Sequence, residues 1–353
     1  MSMAERVAGV SRRIGAQPRR RLALLPSPLQ PGPRLPGGAR LWAKRDDLVG
    51  LGLGGNKVRK LEFLCGAALA AGCDTLVTVG AAQSNHARLT AAAGAALGMP
   101  VELVLGGDPP AQLMGNQLLA SLFGAELHFP KTDDWDELEA EGRRVTETLS
   151  RSGRKPYFAP MGGSTEIGVM GFVLAWLELV EQCAEVGIRP KAIVLATSTG
   201  GTHAGLVAGQ AALGDGPAAD TEIVAVAVAK GESDLAGRSA TLARSCLRRL
   251  GVDAAVAPER VQVDGRWEGS AYAVPTAAGD AAIAWAARTP ECGWILDRVY
   301  TGKAFAGLLG MAAEGRFVAG DDVVFWHTGG VPAVFARGGM PAPEALAGGA
   351  SSG

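Results

Sequence analysis

Short runs of continuous apolar, mostly β-branched residues alternate with longer stretches of helical periodicity, and this order constrains the fold more than any other feature. The runs Thr75–Val79, Val101–Leu105, Ala192–Ala196, Glu222–Val228 and Asp322–Trp326 read as strands. They are uniformly apolar rather than alternating, as in strands buried on both faces. Between and around them the spacing predicts helices over Lys57–Ala71, Asn85–Leu97, Gln112–Phe123, Asp134–Arg151, Glu166–Val186, His203–Leu213 and Lys303–Ala313. Such alternation implies an α/β fold of parallel sheets joined by right-handed crossovers. A chain of 353 residues suits two lobes or one enlarged α/β domain. Pro26–Pro36, with five prolines, reads as an irregular lead-in, and Gly338–Gly353 as a frayed tail. Ser152–Gly163 holds a turn, a short strand and a Gly-Gly, and is the candidate crossing between lobes.

Charge and composition narrow the function by exclusion. Lys plus Arg (34) balances Asp plus Glu (35), so no field points to nucleic acid or an anionic membrane. The exception is a basic N-terminal arm carrying Arg6, Arg12, Arg13, Arg19, Arg20 and Arg21. Five irregularly spaced cysteines give neither a disulfide framework nor a C-x-x-C pair, which points to a reducing cytoplasm. The N-terminus lacks the apolar core of a secretory signal, and no run reads as a transmembrane helix. His86, His128, His203 and His327 show no ligand spacing, so no catalytic metal is expected.

Chemistry gathers in a few segments. Gly54-Gly55-Asn56-Lys57 places a lysine at the mouth of a helix, behind glycines that permit close ligand approach. A helix N-terminus disfavours a cation but suits an amine that must be neutral to act as a nucleophile. Lys44, Lys60 and Lys303 are competing amines, and Arg59 and Lys60 also read as surface charges. Gly50 to Gly55 is not a P-loop, because Asn56 stands where Lys-Ser/Thr should follow. Thr197-Ser198-Thr199-Gly200-Gly201-Thr202 links a buried strand to a helix, so N–H groups and hydroxyls can converge on a phosphate. The competing reading is an ordinary capped turn. Gln83-Ser84-Asn85-His86 opens another helix, where N–H groups can hold a carboxylate and Asn85 a cofactor oxygen; Ser84 can equally be a simple N-cap, and His86 a surface residue. Tyr157 reads as core, whereas Tyr272 and Tyr300 lie at loop-to-helix joins, where site residues gather.

An amine, a phosphate nest and a ring-nitrogen partner are what pyridoxal 5′-phosphate (PLP) requires. In order and local sequence these motifs, with Lys44-Arg45-Asp46-Asp47, Gly115-Asn116, Gly162-Gly163-Ser164 and Val331-Pro332-Ala333, resemble the fold-type II PLP enzymes of the tryptophan synthase β superfamily. More narrowly they resemble the D-cysteine desulfhydrase and 1-aminocyclopropane-1-carboxylate (ACC) deaminase family, from about Arg19 to Arg337. The resemblance implies two lobes, each a mostly parallel sheet flanked by helices. The large lobe would comprise 1–52 and 166–353, with 1–18 an added arm and 339–353 a flexible tail; 53–165 would be a small inserted lobe. It also implies a homodimer and a small amino-acid substrate.

Carried over by position, the resemblance makes Lys57 the lysine that holds the cofactor and Asn85 the partner of its 3′ oxygen. Ser84, Asn85 and His86 become the substrate-carboxylate loop, and Thr199, Gly200, Gly201 and Thr202 the phosphate loop. Thr328 becomes the ring-nitrogen partner. Tyr272 and Tyr300 become active-site tyrosines, with Ser84 beside them in catalysis and Tyr300 also touching substrate. Ala271-Tyr272-Ala273 departs from the family's Gly-Tyr-Gly, and Ser164-Thr165 from its Ser-Asn. ACC deaminases carry Glu after the second tyrosine and Leu in His-x-Gly-Gly; here Thr301 and Thr328 stand there and side with the desulfhydrases. The implied activity is β-elimination of D-cysteine to pyruvate, ammonia and sulfide. The alternatives are ACC deamination, a lyase for another β-substituted amino acid such as cysteate, an amino-acid racemase, or a silent PLP-binding protein.

Overall fold

The computed structural model describes residues 3–216, 218–229 and 232–340. Two sheets organise it. The larger has the order β1 (Leu29–Arg34), β2 (Arg40–Arg45), β10 (Asp322–His327), β7 (Ala192–Thr197), β8 (Glu222–Ala227), β9 (Gln262–Asp264). All its pairs are parallel except β1 with β2. The smaller is wholly parallel, in the order β5 (Glu126–His128), β4 (Val101–Leu105), β3 (Thr75–Gly80), β6 (Pro156–Ala159). Every residue of β3, β7 and β10 is buried, as their unbroken apolar runs require. Successive side chains still divide between two cores. Ile193 and Leu195 of β7 join α1 (Met3–Gly15), α6 (Glu166–Val186), α7 (Gly201–Leu213) and α8 (Glu232–Arg249) on one face. Ala192 and Val194 join α9 (Ala277–Arg288) and α10 (Thr301–Ala313) on the other. A third core packs the small sheet against α2 (Lys57–Ala70), α3 (Asn85–Leu97) and α4 (Gly115–Leu122), and Leu138 of α5 (Trp135–Arg151) packs on Val79 and Val104.

Several expectations change. The proline-rich lead-in forms β1, an edge strand whose antiparallel register shifts between Pro31 and Arg34. Proline is tolerated there because an edge leaves N–H positions unpaired. The basic arm is not free: Val10 and Ile14 of α1 enter the main core. Arg6 donates to the carbonyls of Leu213 and Asp215, and Arg13 to those of Leu250 and Gly251, so both close the C-terminal ends of helices where carbonyls lack partners. Arg59 and Lys60 are buried, not surface charges. Arg59 pairs with Asp46 (2.8 Å) and Glu178 (2.9 Å), and Lys44 with Glu178 (2.5 Å). Helix α6 is long and apolar enough to cross a membrane by length and composition, contrary to the sequence reading, but Val169, Phe172 and Trp176 seat it in the main core. The expected frayed tail lies, from residue 341, outside the described residues.

Candidate active site

Loops leaving the C-terminal ends of strands in both sheets meet in one cleft, the usual place for ligands in parallel α/β folds. Lys57, Ser84, Asn85, His86, Thr199, Gly200, Gly201, Thr202, Tyr272, Tyr300 and Thr328 all line it. The chain leaving β2 turns at Gly54 and Gly55, at φ +70° and +124°, and enters α2 at Lys57. A Cβ on Gly54 would stand 1.9 Å from the carbonyl oxygen of Asp47, so only glycine makes this turn. Lys57 Nζ donates to Asn56 Oδ1 (3.0 Å), and Asn56 Nδ2 donates to Thr202 Oγ1 (3.1 Å). Burial draws the Lys57 pKa down to about 8; Asp297 opposes this and Arg88 reinforces it.

At the end of β7, Gly200 adopts φ +78° and begins α7 without a side-chain cap, leaving the first N–H groups of the helix open. A Cβ on Gly201 would lie 2.5 Å from Ser164 Oγ and 2.6 Å from Lys60 Nζ. Lys60 thus stands directly behind the loop. It donates to the Gly162 carbonyl (3.0 Å) and Ser164 Oγ (3.2 Å), neither of them acidic, and burial followed by the charge of Lys57 holds its pKa well below the ordinary value. Ser164 Oγ also meets Thr199 Oγ1 (2.8 Å). An uncapped helix terminus backed by a buried amine is a cradle for a dianion.

Facing it, Ser84 caps α3 by accepting from Ala87 N (3.1 Å). His86 is 2% exposed with neither ring nitrogen hydrogen-bonded, and burial, then Lys60 and Lys57, hold it neutral. Beyond β10, Thr328 follows His327, and its carbonyl accepts from Asn56 N (3.0 Å). Tyr300 heads α10. Asp297 fixes that end: its carboxylate accepts from the backbone N of Val299 (2.8 Å), Tyr300 (2.7 Å) and Thr301 (3.1 Å), and from Thr301 Oγ1 (2.7 Å). Tyr272 and Tyr300 share a very short hydroxyl–hydroxyl hydrogen bond, and burial raises both pKa values, that of Tyr272 to about 12. Ala273, beside Tyr272, is held at φ +60°, where the family's glycine would be unstrained.

The competing amines Lys44 and Lys303 lie outside the cleft. Lys44 is committed to Ser27 O (2.6 Å), Glu178 and Gln182, and Lys303 to the carbonyls of Glu268 (2.5 Å) and Ala271 (3.4 Å) beneath the Tyr272 loop. Sequence reasoning missed Asn56, Trp135 and Asp297, and read Lys60 only as a competing amine or a surface charge. Trp135 reaches the cleft at the start of α5 and meets the Tyr272 ring edge-on at 5.8 Å. Asp297 lies three residues before Tyr300, the residue at the cap position of α10, so neither it nor Trp135 carried a signal in the sequence. An amine with lowered pKa, an open phosphate cradle and a hydroxyl at Thr328 together fit PLP.

The family described as pyridoxal-phosphate dependent enzyme matches residues 21–329. A Pyrococcus abyssi protein provisionally named 1-aminocyclopropane-1-carboxylate deaminase is 39% identical over 322 residues, 90% of this chain and 94% of that protein. The D-cysteine desulfhydrase of Salmonella choleraesuis is 37% identical over 326 residues, 90% of this chain and 96% of that enzyme. A crystal structure described as an ACC deaminase homologue superposes with a TM-score of 0.84 at 36% identity, covering 96% of this chain and 98% of the other.

Proposed function

The chain belongs to the pyridoxal-phosphate dependent enzymes, and on that premise we propose that it is a lyase that eliminates sulfide from D-cysteine, giving pyruvate and ammonia with the uptake of one water. Its cofactor is PLP, and the relatives' names admit both desulfhydrase and ACC deaminase. The observation that carries the choice is the pair Thr301 and Thr328. Thr301 is buried with its hydroxyl spent on Asp297, so the position after Tyr300 offers no carboxylate to the cleft. Asp297 itself has both oxygens occupied at the entrance to α10, one by Val299 N and Tyr300 N and the other by Thr301 N and Oγ1. At the ring nitrogen of a bound PLP this would leave the neutral hydroxyl of Thr328, which lines the cleft.

In this reading Lys57 holds the cofactor, and the α7 N-terminus with Thr199, Gly200, Gly201, Thr202 and Lys60 holds its phosphate. Bound there, PLP supplies an electron sink for negative charge at the substrate Cα. The first turn of α3, Ser84 to His86, takes the substrate carboxylate. Once the substrate amine has replaced it, the freed Lys57 Nζ, steered by Asn56 Oδ1, would remove the Cα proton. The Tyr272–Tyr300 pair, protonated at neutral pH, delivers a proton to the departing sulfur. Expelling a thiolate needs no further nucleophile, whereas opening a cyclopropane ring does.

The same reading carries the lobe division at about residues 52 and 166. It is supported by the small sheet's strands all falling between Thr75 and Ala159, while the large sheet draws on both sides of that segment. A homodimer is supported by exposed Leu122, Phe335 and Leu53, and a cytoplasmic location by five free cysteines. The test is a panel of D- and L-amino acids and ACC, assayed for pyruvate, ammonia and sulfide. D-Cysteine turnover should far exceed ACC deamination. Thr301→Glu with Thr328→Leu should move the ratio toward ACC; one lost transition-state contact costs about 2.7–4 kcal/mol, a hundredfold or more in rate. Efficient wild-type ACC deamination without sulfide release would replace this reading with the deaminase.

A further inference from the structure

Arg88 is a fully buried guanidinium without a carboxylate among its hydrogen-bond partners. It donates through Nε to Asn116 Oδ1 (3.0 Å) and through its terminal nitrogens to Gly52 O, Gly54 O (2.9 Å) and Asn85 Oδ1 (3.4 Å). An unpaired buried cation is costly, and burial draws its pKa down to about 9. Its partners lead into the cleft from two sides: the glycine turn before Lys57, and Asn85.

The amide orientations follow from donor chemistry alone. Arginine only donates, so the Asn116 atom facing it is the oxygen. The other end of Asn116 is therefore the NH2, a conclusion the Gln83 carbonyl requires independently, since it accepts from that nitrogen (2.9 Å). This NH2 also faces the Asn85 side chain at 3.0 Å, so the Asn85 atom there is the oxygen. Asn116 is itself pinned by Gln83, whose Oε1 accepts from Asn116 N (2.9 Å). What remains of Asn85, in a residue that lines the cleft, is its NH2, with no protein acceptor among the described residues.

We propose that Arg88 is a positioning residue that acts chiefly through Asn116, and by its own longer contact to Asn85 Oδ1, to lock the Asn85 amide with its N–H end toward the cofactor, making position 85 a donor-only contact. Such a contact favours a ring oxygen that has lost its proton over a hydroxyl. The inference rests on the reading of this cleft as the PLP site.

The test is Asn116→Asp, made in the wild type and in Asn85→Ala. Aspartate keeps the acceptor for Arg88 but cannot donate to Asn85, so the Asn85 amide turns to donate to it and presents oxygen to the cleft. PLP affinity of the full chain, read from its visible band, should fall roughly tenfold to a hundredfold, the scale of a hydrogen bond to a charged group. The pH midpoint of that band should move with it. In the Asn85→Ala background both effects should nearly vanish, because the cycle isolates what passes through Asn85. Arg88→Lys, which keeps the charge and gives up the planar fork, should act in the same direction and also lose its effect without Asn85. Equal losses in both backgrounds, or none in either, would overturn the proposal while leaving the cofactor reading intact. A wild-type chain that binds no PLP would overturn both.

Discussion

At Lys57 the decisive quantity is whether the amine carries a proton. Burial lowers its pKa from 10.5 to about 8, so the neutral fraction rises through neutrality and levels off above that point. The rate at which PLP attaches to the stripped full chain should follow, climbing about tenfold per unit below pH 7 and flattening above about 8. A rise that continued to about pH 10 would mean an ordinary lysine. Gly201 gives a second residue-scale prediction. Any side chain there collides with Ser164 Oγ and Lys60 Nζ, both within 2.6 Å of the added atom. Gly201→Val should therefore weaken PLP binding severalfold or more, and wild-type affinity in that variant would remove the loop from the phosphate site. The glycines, serines and threonines of this loop stand out in the sequence as the types that an anion site at a helix entrance would need, and the structure brings them to the cleft. Lys60 does not: a lysine three residues after Lys57 reads as solvated, and only the packing of α2 against α6 turns it inward.

Helix α2 carries Lys57, and its orientation depends on a buried ion network. Arg59 bridges Asp46 and Glu178, Trp326 Nε1 donates to Asp46 Oδ2 (2.8 Å), and Lys44 completes the set. Burial works against the Glu178 carboxylate, but the Arg59 and Lys44 contacts prevail and hold its pKa down to about 2. A depressed carboxylate pKa stabilises the fold above its unfolded value near 4.3, and that contribution is lost as pH falls from there toward about 2. Arg59→Met should cost about 3–5 kcal/mol by leaving the buried Asp46 carboxylate without a cation, while Glu178 keeps Lys44, visible as a lower melting temperature and an earlier acid transition. An unchanged melting temperature would show that the network does not hold α2. At this scale the strands buried on both faces, β3, β4, β7, β8 and β10, were readable from their apolar runs. Among those escaping detection, β5 and β9 have three residues each, α8 is largely polar, the prolines of β1 disguise an edge strand, and α9 builds much of its buried face from alanine.

Over the whole molecule, strand ends of two separate sheets converge on one cleft, and the chain crosses between them near both Lys57 and Gly162. The N-terminal segment spans the junction: Arg19 and the amides of Leu22 and Ala23 all bind Glu62 on α2, while α1 closes α7 and α8. None of that was visible in the basic composition of the arm, because a helix carbonyl that needs a donor leaves no mark in the sequence. The family and its cofactor were legible, since widely spaced motifs had to meet at one small molecule. The central claim is that they meet at Lys57. Borohydride treatment of the full chain with PLP, followed by digestion and mass spectrometry, tests it most directly. The cofactor should be fixed to the peptide carrying Lys57 and absent from Lys57→Ala; a label on Lys44, Lys60 or Lys303 would contradict the account.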